Sequence, residues 1–597
     1  MQVSDMRNPF QHFLGKSLRT PIKSSLCALA LCGYIPEGMS QANLSFAQNQ
    51  AILAELSEQK FDRFAAFAKA VQADNDIELS ADVNQAIAQY LSDKKALSIS
   101  ERHIIQRLVG LYSRIQYGEE AIEKLGEFVE IPTFRDEAYE QHENPNFIKL
   151  GEEIRELAED FGLGFRNVDN RIWEITLEGT GEEFVGIHAH GDVVPVNPDN
   201  WVLDDGTKLD PFKMTLVGDR LYGRGTEDDK NGIIVTMYAM KVLKDEGIPL
   251  NRTFKLLVDT TEETSSTAIP YYFERFPQPE YNLALDGGYP VVIAEKGYGT
   301  VMATFDAYEG EGKGLEIVDL TGGLATNQIP RVSKATINAK NLKRTKKRLD
   351  KIAKSFQKKY EGNYSITTEI KNGHIELIVE GISAHSSSPE TGVNPVSRML
   401  LFLHELPEKT KVKKNHVLDA AHYATANWGL NYYGEKLGIN YAHDFMGPLT
   451  TSLTYIKVTD KDMKLATNLR APVGKETKQL KQEIQTGVVG WLAENNVEMS
   501  LDISIAEPMY RNPEGAWVNA LLDVATENLD LPREFKSSAG ATSVHYLPNG
   551  VQFGLSEPGT KYTGHNANEF KTVYQFMLDL QIITEMMVRV GQLDSLK

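Results

Sequence analysis

The sequence predicts an α/β fold: a sheet domain with helices on both faces, interrupted by an inserted α+β segment and preceded by a helical extension. Three observations predict it. From about Glu119 strand-like runs alternate with helical ones, the pattern of an α/β sheet domain. From Gly299 to Ala506 the chain carries strands and helices of its own, and after Glu507 a helix and a strand-like run return to the first sheet. At 597 residues the chain is too long for a single core and should divide.

Residues 1–47 read as a targeting segment. Arg19 and Lys23 precede the apolar stretch Leu26–Ile35, and small residues follow at signal-cleavage spacing, Ser40 with Ala42 or Ser45 with Ala47. That order matches a secretory signal and predicts a periplasmic or secreted protein. The competing reading is an ordinary N-terminus of a cytoplasmic protein. A lipoprotein anchor at Cys32 is disfavoured, because Leu31 stands where a small residue is expected. Both cysteines, Cys27 and Cys32, fall in this segment, so any metal further along must be held by His, Asp and Glu. Residues 48–118 repeat apolar side chains at three- and four-residue spacing and hold no cluster of candidate ligands, which predicts a helical extension without chemistry of its own.

The sheet domain begins with residues 119–298. A helix (Ala121 to Val129) leads through Ile131-Pro132 into another (Asn146 to Phe161). Strand-like runs follow at 171–176, 183–188 and 252–259, with a helix from Gly232 to Glu246 between the last two. In such sheets ligands gather on loops at the carboxyl ends of the strands. The insertion, residues 299–506, reads as two halves, each with strands and one long helix (Leu342 to Tyr360; Gly474 to Glu494). Residues 507–597 supply a helix (Ala516 to Asn528) and the strand-like run 551–555.

A formal net charge of −19 argues against a nucleic-acid partner, since such a surface repels phosphates. The densest basic run, from Asn341 to Lys359, reads as a solvated helix face. No apolar run reaches the length of about 18 residues that a membrane span requires, so no stable membrane insertion is expected.

Five short motifs carry candidate chemistry. His188-Ala-His190-Gly-Asp192 ends an apolar strand, where residues two apart share a face, so that a carboxylate can orient a metal-bound imidazole. Gly223-Arg-Gly-Thr-Glu-Asp228-Asp229 places two adjacent carboxylates in a glycine-rich turn, where they repel unless a cation or solvent separates them. Asp259-Thr-Thr-Glu262-Glu263 follows a strand, and its two glutamates can divide the roles of ligand and base. Leu285-Asp286-Gly and Thr563-Gly-His565-Asn-Ala-Asn-Glu569 complete the set. Each alone has a plain structural explanation: a buried histidine, an ordinary turn, an exposed acidic loop, a helix cap.

In order and spacing together, from about Ala121 to the C-terminus, they resemble the M20 family of di-zinc metallopeptidases, and within it the monomeric dipeptidases of the PepV type. The resemblance implies a catalytic α/β domain holding two Zn²⁺, with Mn²⁺ or Co²⁺ as substitutes, and a lid inserted into it. It implies that Asp228 bridges the two ions, that Glu263 and His565 complete the first set, and that His190 and Asp286 complete the second. Asp192 would orient His190, the bond between Asp228 and Asp229 would be cis, and Glu262 would be the general base. Within the insertion, Gly381-Ile-Ser-Ala-His385 resembles the lid motif whose histidine stabilises the oxyanion. Asn327 and Arg470 resemble substrate contacts. In this family an aspartate at the position of Asp286 goes with aminopeptidases and dipeptidases, which implies a small peptide substrate. The insertion, about 200 residues, is nearly twice the lid of dimeric relatives, and in PepV-type enzymes that doubling implies a monomer. One position departs from the pattern: His545 stands where the family's arginine is expected, which leaves substrate anchoring open. Two other functions fit the same motifs, an N-acyl-amino-acid deacylase and a metal-dependent peptide-binding protein without turnover.

Overall fold

The computed structural model describes residues 43–94, 97–323 and 325–597. The targeting segment therefore lies outside the described residues, apart from residues 43–47. Ser45 accepts a hydrogen bond from Gln48 N and caps the helix Phe46–Leu56, with Ala47 inside it. No described helix is long and apolar enough to cross a membrane.

The described residues form two compact units: those of 43–293, 511–536 and 542–597 in one, those of 294–510 and 537–541 in the other. In the first, the strands run in the order Gly164–Val168, Ile172–Leu177, Thr253–Asp259, Phe184–His190, Tyr281–Ala284, Val551–Gln552, and then Val292–Glu295, in which the chain leaves the unit. The four central strands are mutually parallel and the outer ones antiparallel to their neighbours. Helices cover both faces. On one, Leu257 packs with Ala268 and Tyr272 of the short helix Ala268–Phe273. On the other, Trp173 lies against Gly151 and Leu150 of the helix Pro145–Asp160, whose C-cap Phe161 stacks edge-on against Tyr238 of the helix Lys230–Asp245. A side chain at Gly151 would stand 2.5 Å from the Trp173 indole, so that approach requires glycine.

The extension and the sheet domain are joined more closely than the change of texture near Glu119 suggests. One helix of 31 residues, Ile99–Val129, runs through that point. No proline interrupts it, and Ser98 with Glu101 forms a capping box at its start. It packs along the C-terminal helix Val573–Gln592 so closely that a Cβ at Gly110 would meet Gln581 O at 2.7 Å. Between the two lies a buried ionic network. Arg107 pairs with Glu585 and, at 2.7 Å, with Glu527, and Arg589 pairs with Glu585 at 2.6 Å. Asn528 donates to Glu585 at 2.7 Å.

The second unit is built on one antiparallel sheet of eight strands, in the order 365–371, 374–380, 332–338, 316–322, 450–458, 462–471, 297–306 and 500–505. The two halves read from the sequence are thus one sheet, joined where Thr321 and Gly322 pair with Lys457 and Ile456. Four helices, 342–359, 395–409, 416–427 and 477–495, contribute to its single core. The basic helix buries only Leu349, Ala353 and Phe356 and turns its charges outward.

Removing one partner of a buried ionic network leaves an uncompensated charge. Arg107→Ala is expected to lower unfolding free energy by about 3–5 kcal/mol, read from denaturant midpoints at unchanged m-value.

Candidate metal centre

Three of the candidate motifs leave the sheet at one edge, the carboxyl ends of its parallel strands. His190 is the last residue of Phe184–His190, Glu262 and Glu263 follow Thr253–Asp259, and Asp286 follows Tyr281–Ala284. Asp228 and His565 reach the same place on loops. The Asp228–Asp229 bond is cis, and His565 has a positive φ of 63°.

These residues form two triads that share one carboxylate. Potential ligand atoms of Asp228, Glu263 and His565 lie within 4.8 Å of one another, and so do those of His190, Asp228 and Asp286. His190 Nε2 stands 2.8 Å from Asp228 Oδ1. His565 Nε2 stands 3.1 Å from Asp228 Oδ2 and 2.8 Å from Glu263 Oε1. The two oxygens of Asp228 therefore face the two triads separately. Glu262 falls in a further group with His190 and Glu263.

Asp192 meets His190 through its main chain and lies beside it with its carboxylate. His190 Nδ1 lies 2.9 Å from the Asp192 main-chain oxygen and 3.6 Å from its carboxylate. The carboxylate also accepts the backbone N–H groups of Glu262 and Glu263, at 3.2 and 3.0 Å. It thereby holds the two glutamates in place beside the imidazole.

Two residues that sequence reasoning left without a role fix the remaining loops. Buried Glu569 accepts N–H groups from Gly225 and Glu227 at 3.0 Å and from Asp228 at 3.2 Å, and pairs with Arg224. Glu227 accepts from Thr563 Oγ1 at 2.6 Å and from Gly564 N at 3.2 Å. The loop bearing Asp228 and the loop bearing His565 are thereby tied to each other. Tyr562 donates to Asp228 Oδ2. A Cβ at Gly564 would stand 2.9 Å from that same oxygen, so glycine leaves it room.

The electrostatics show what the cluster has to balance. Burial first, then Asp228 and Glu263, push Asp286 up to about 7. Burial also raises Glu262 and Asp229 well above the usual carboxylate range. Hydrogen bonds to Asp228 and Glu263 raise His565 to about 11. Against the burial that would raise it, its two histidine partners hold Asp228 low.

Asn327, His385 and Arg470 belong to the second unit, where they form a group of their own. The short ladder Gln328–Ile329 pairs with Ala384–His385, and Asn327 O accepts Ser386 N at 2.9 Å. Ser386 Oγ and Arg470 Nε both donate to Asn468 Oδ1, at 2.8 and 3.1 Å. His545, in the first unit, is buried edge-on against Tyr546, and Arg511 donates to its carbonyl at 3.1 Å.

Residues 186–589 match the model of peptidase family M20/M25/M40, a span that holds both triads and the insertion. The chain belongs to this family. It is accordingly a metallopeptidase. A β-Ala-Xaa dipeptidase of Lactobacillus delbrueckii subsp. lactis is 28% identical to it over 430 residues, 71% of this chain and 85% of that one. Among solved structures, human carnosine dipeptidase 1 is 13% identical, with a TM-score of 0.48, covering 82% of this chain and 99% of that one. The aminoacylhistidine dipeptidase of Vibrio alginolyticus is 12% identical, with a TM-score of 0.46, covering 85% of this chain and 100% of that one.

The donor set fits the metal dependence of an M20 peptidase. Asp228, Glu262, Glu263 and Asp286 converge with two imidazoles, and buried like charges are tolerated only when cations or protons neutralise them. A mixed oxygen and nitrogen set suits Zn²⁺, Mn²⁺ or Co²⁺.

Protons compete with metal for these groups. The sign follows from the shifts: His565 is protonated below about 11, and Asp286 below about 7. Apparent metal affinity is expected to fall as pH falls below about 11, and more steeply below about 7, where Asp286 gains its proton as well. Calorimetric titration in buffers of different ionisation enthalpy checks this, and affinity independent of pH would contradict it. Glu569→Gln, which weakens the tie between the two loops, is expected to lower metal affinity about 10–100-fold, measured by competition with a chromophoric chelator.

Proposed function

We propose that this M20 peptidase hydrolyses the peptide bond of dipeptides and very short peptides, with Asp228 shared by two divalent ions and Glu262 as general base. The observation that carries the proposal is the pair of triads with one carboxylate in common. Asp228, Glu263 and His565 would hold one ion, and His190, Asp228 and Asp286 the other. Bound there, the ions supply Lewis acidity that activates water and polarises the scissile carbonyl.

The chain's own residues supply the proton traffic. Glu262 stands beside both triads without belonging to the Asp228 sets, and its backbone is fixed by Asp192. Burial raises its carboxyl, the direction a base working near neutrality needs. It takes a proton from the attacking water and delivers it to the nitrogen of the leaving amine. On the resemblance of its motif, His385 is assigned as a donor to the developing oxyanion, and Asn327 and Arg470 as substrate contacts. The dipeptide reading is supported by the β-Ala-Xaa dipeptidase relative and by an aspartate, Asp286, as the unshared carboxylate of the second set.

Glu262→Gln is expected to retain its metal and to lose about 10²–10⁴-fold in kcat, measured on a panel of dipeptides beside their N-acetyl amino-acid counterparts. Turnover at the wild-type rate in the metal-loaded variant contradicts the base, and faster cleavage of the N-acetyl compounds contradicts the substrate class. His385→Ala is expected to cost about 2.7–4 kcal/mol of barrier, seen in kcat.

A further inference from the structure

The helix Leu342–Lys359 spends its apolar side on the second unit, where Leu349, Ala353 and Phe356 are buried in the core. Its opposite side is a row of lysines. Lys343, Lys347, Lys351, Lys354 and Lys358 are all exposed. At about 3.6 residues per turn they fall within an arc of about 80°, and at about 1.5 Å per residue the row is about 22 Å long. No large apolar side chain of this helix is exposed.

The chain supplies these five with no counter-charge of their own. The ion pairs of the helix use other lysines, Lys346 to Asp350 at 2.9 Å and Lys359 to Glu405 at 2.6 Å. Both oxygens of Asp350 are occupied, by Lys346 and by the Thr368 hydroxyl. Among the described residues, no hydrogen bond or ion pair takes the ammonium of any of the five. Like charges three and four residues apart destabilise a helix, and the row is built of that spacing throughout. Residues 340–361 hold ten lysines and arginines against Asp350 and Glu361, in a chain whose net charge is −19. Solubility does not call for them, because net charge of that size already keeps a chain dispersed.

A straight, flat row of cations fits an anionic plane. Clusters of about four to eight lysines or arginines on one face are attracted to acidic headgroups. Charges more than a Debye length away, about 8 Å at physiological salt, are screened, so the acidic remainder of the chain does not cancel a face in contact. A single-stranded nucleic acid fits less well, since it stacks its bases on aromatic rings and this helix exposes none. The apolar side that would sink an amphipathic helix into a bilayer is already buried against the sheet.

We propose that the lysine row of this helix docks the protein on an anionic lipid bilayer, resting on the headgroups by charge alone and without insertion. The site is independent of the metal centre and of the reaction assigned to it.

Co-sedimentation of the full-length, metal-loaded protein with vesicles tests the proposal, using equimolar phosphatidylglycerol and phosphatidylcholine beside phosphatidylcholine alone. Binding to the mixed vesicles is expected at about 0.05 M salt, with at least about tenfold loss at about 0.5 M, and none to the neutral ones. Lys347→Gln, Lys351→Gln and Lys354→Gln combined are expected to lower the partition coefficient about a hundredfold, and the same three positions changed to Arg to keep it. Lys457→Gln, Lys461→Gln and Lys464→Gln combined, an equal change of net charge at exposed positions elsewhere in the unit, are expected to spare it. Absence of binding to the mixed vesicles, equal binding to neutral ones, binding that resists salt, equal loss in the two glutamine variants, or tighter binding of a single-stranded oligonucleotide than of the mixed vesicles would each overturn it. Should the first glutamine variant fail to fold, the salt and vesicle comparisons and the arginine variant decide.

Discussion

Mutual repulsion among Asp228, Glu262, Glu263 and Asp286 is the constraint around which the first unit is arranged. Four carboxyl groups are brought to one edge of a sheet with two imidazoles among them. In a low-dielectric setting such a group of like charges must gain protons or cations. Burial and like charge push Asp286 and Glu262 toward the first outcome. The sharing of Asp228 between two triads provides for the second.

Holding that arrangement falls to groups that never enter it. Glu569 takes three consecutive-loop N–H groups and a guanidinium, and Glu227 takes the N–H and hydroxyl of the His565 loop. Asp192 takes the N–H groups of both glutamates. Each is a carboxylate facing main-chain donors, so the loops carrying the donor atoms are fixed by charge-assisted bonds and not by their own short sequences. The long helix Ile99–Val129 and the C-terminal helix, locked through Arg107 and Glu585, back the same unit.

How much of this was legible in the sequence depended on whether a signal is local. His190, Glu263 and Asp286 each follow an apolar strand, and Asp228 and His565 each sit in a glycine turn, so short motifs displayed them. The alternation of strands and helices likewise displayed the α/β sheet domain. Glu227 and Glu569 were hidden because an acceptor for N–H groups more than 300 residues away leaves no pattern nearby. The Asp192 main-chain contact was hidden because a backbone oxygen has no residue signature. The change of composition near Glu119 falls inside one continuous helix, whose span a local shift in texture does not reveal. The halves of the insertion looked separate because the pairing that fuses them, Thr321 with Lys457, joins distant segments.

If Asp228 serves two cations at once, as proposed, metal content per chain measures it most directly. Plasma mass spectrometry of the full-length protein after dialysis against limiting zinc should give two ions per chain, and close to none for a folded Asp228→Asn. Two ions retained by that variant, or fewer than one in the folded wild type, would contradict it.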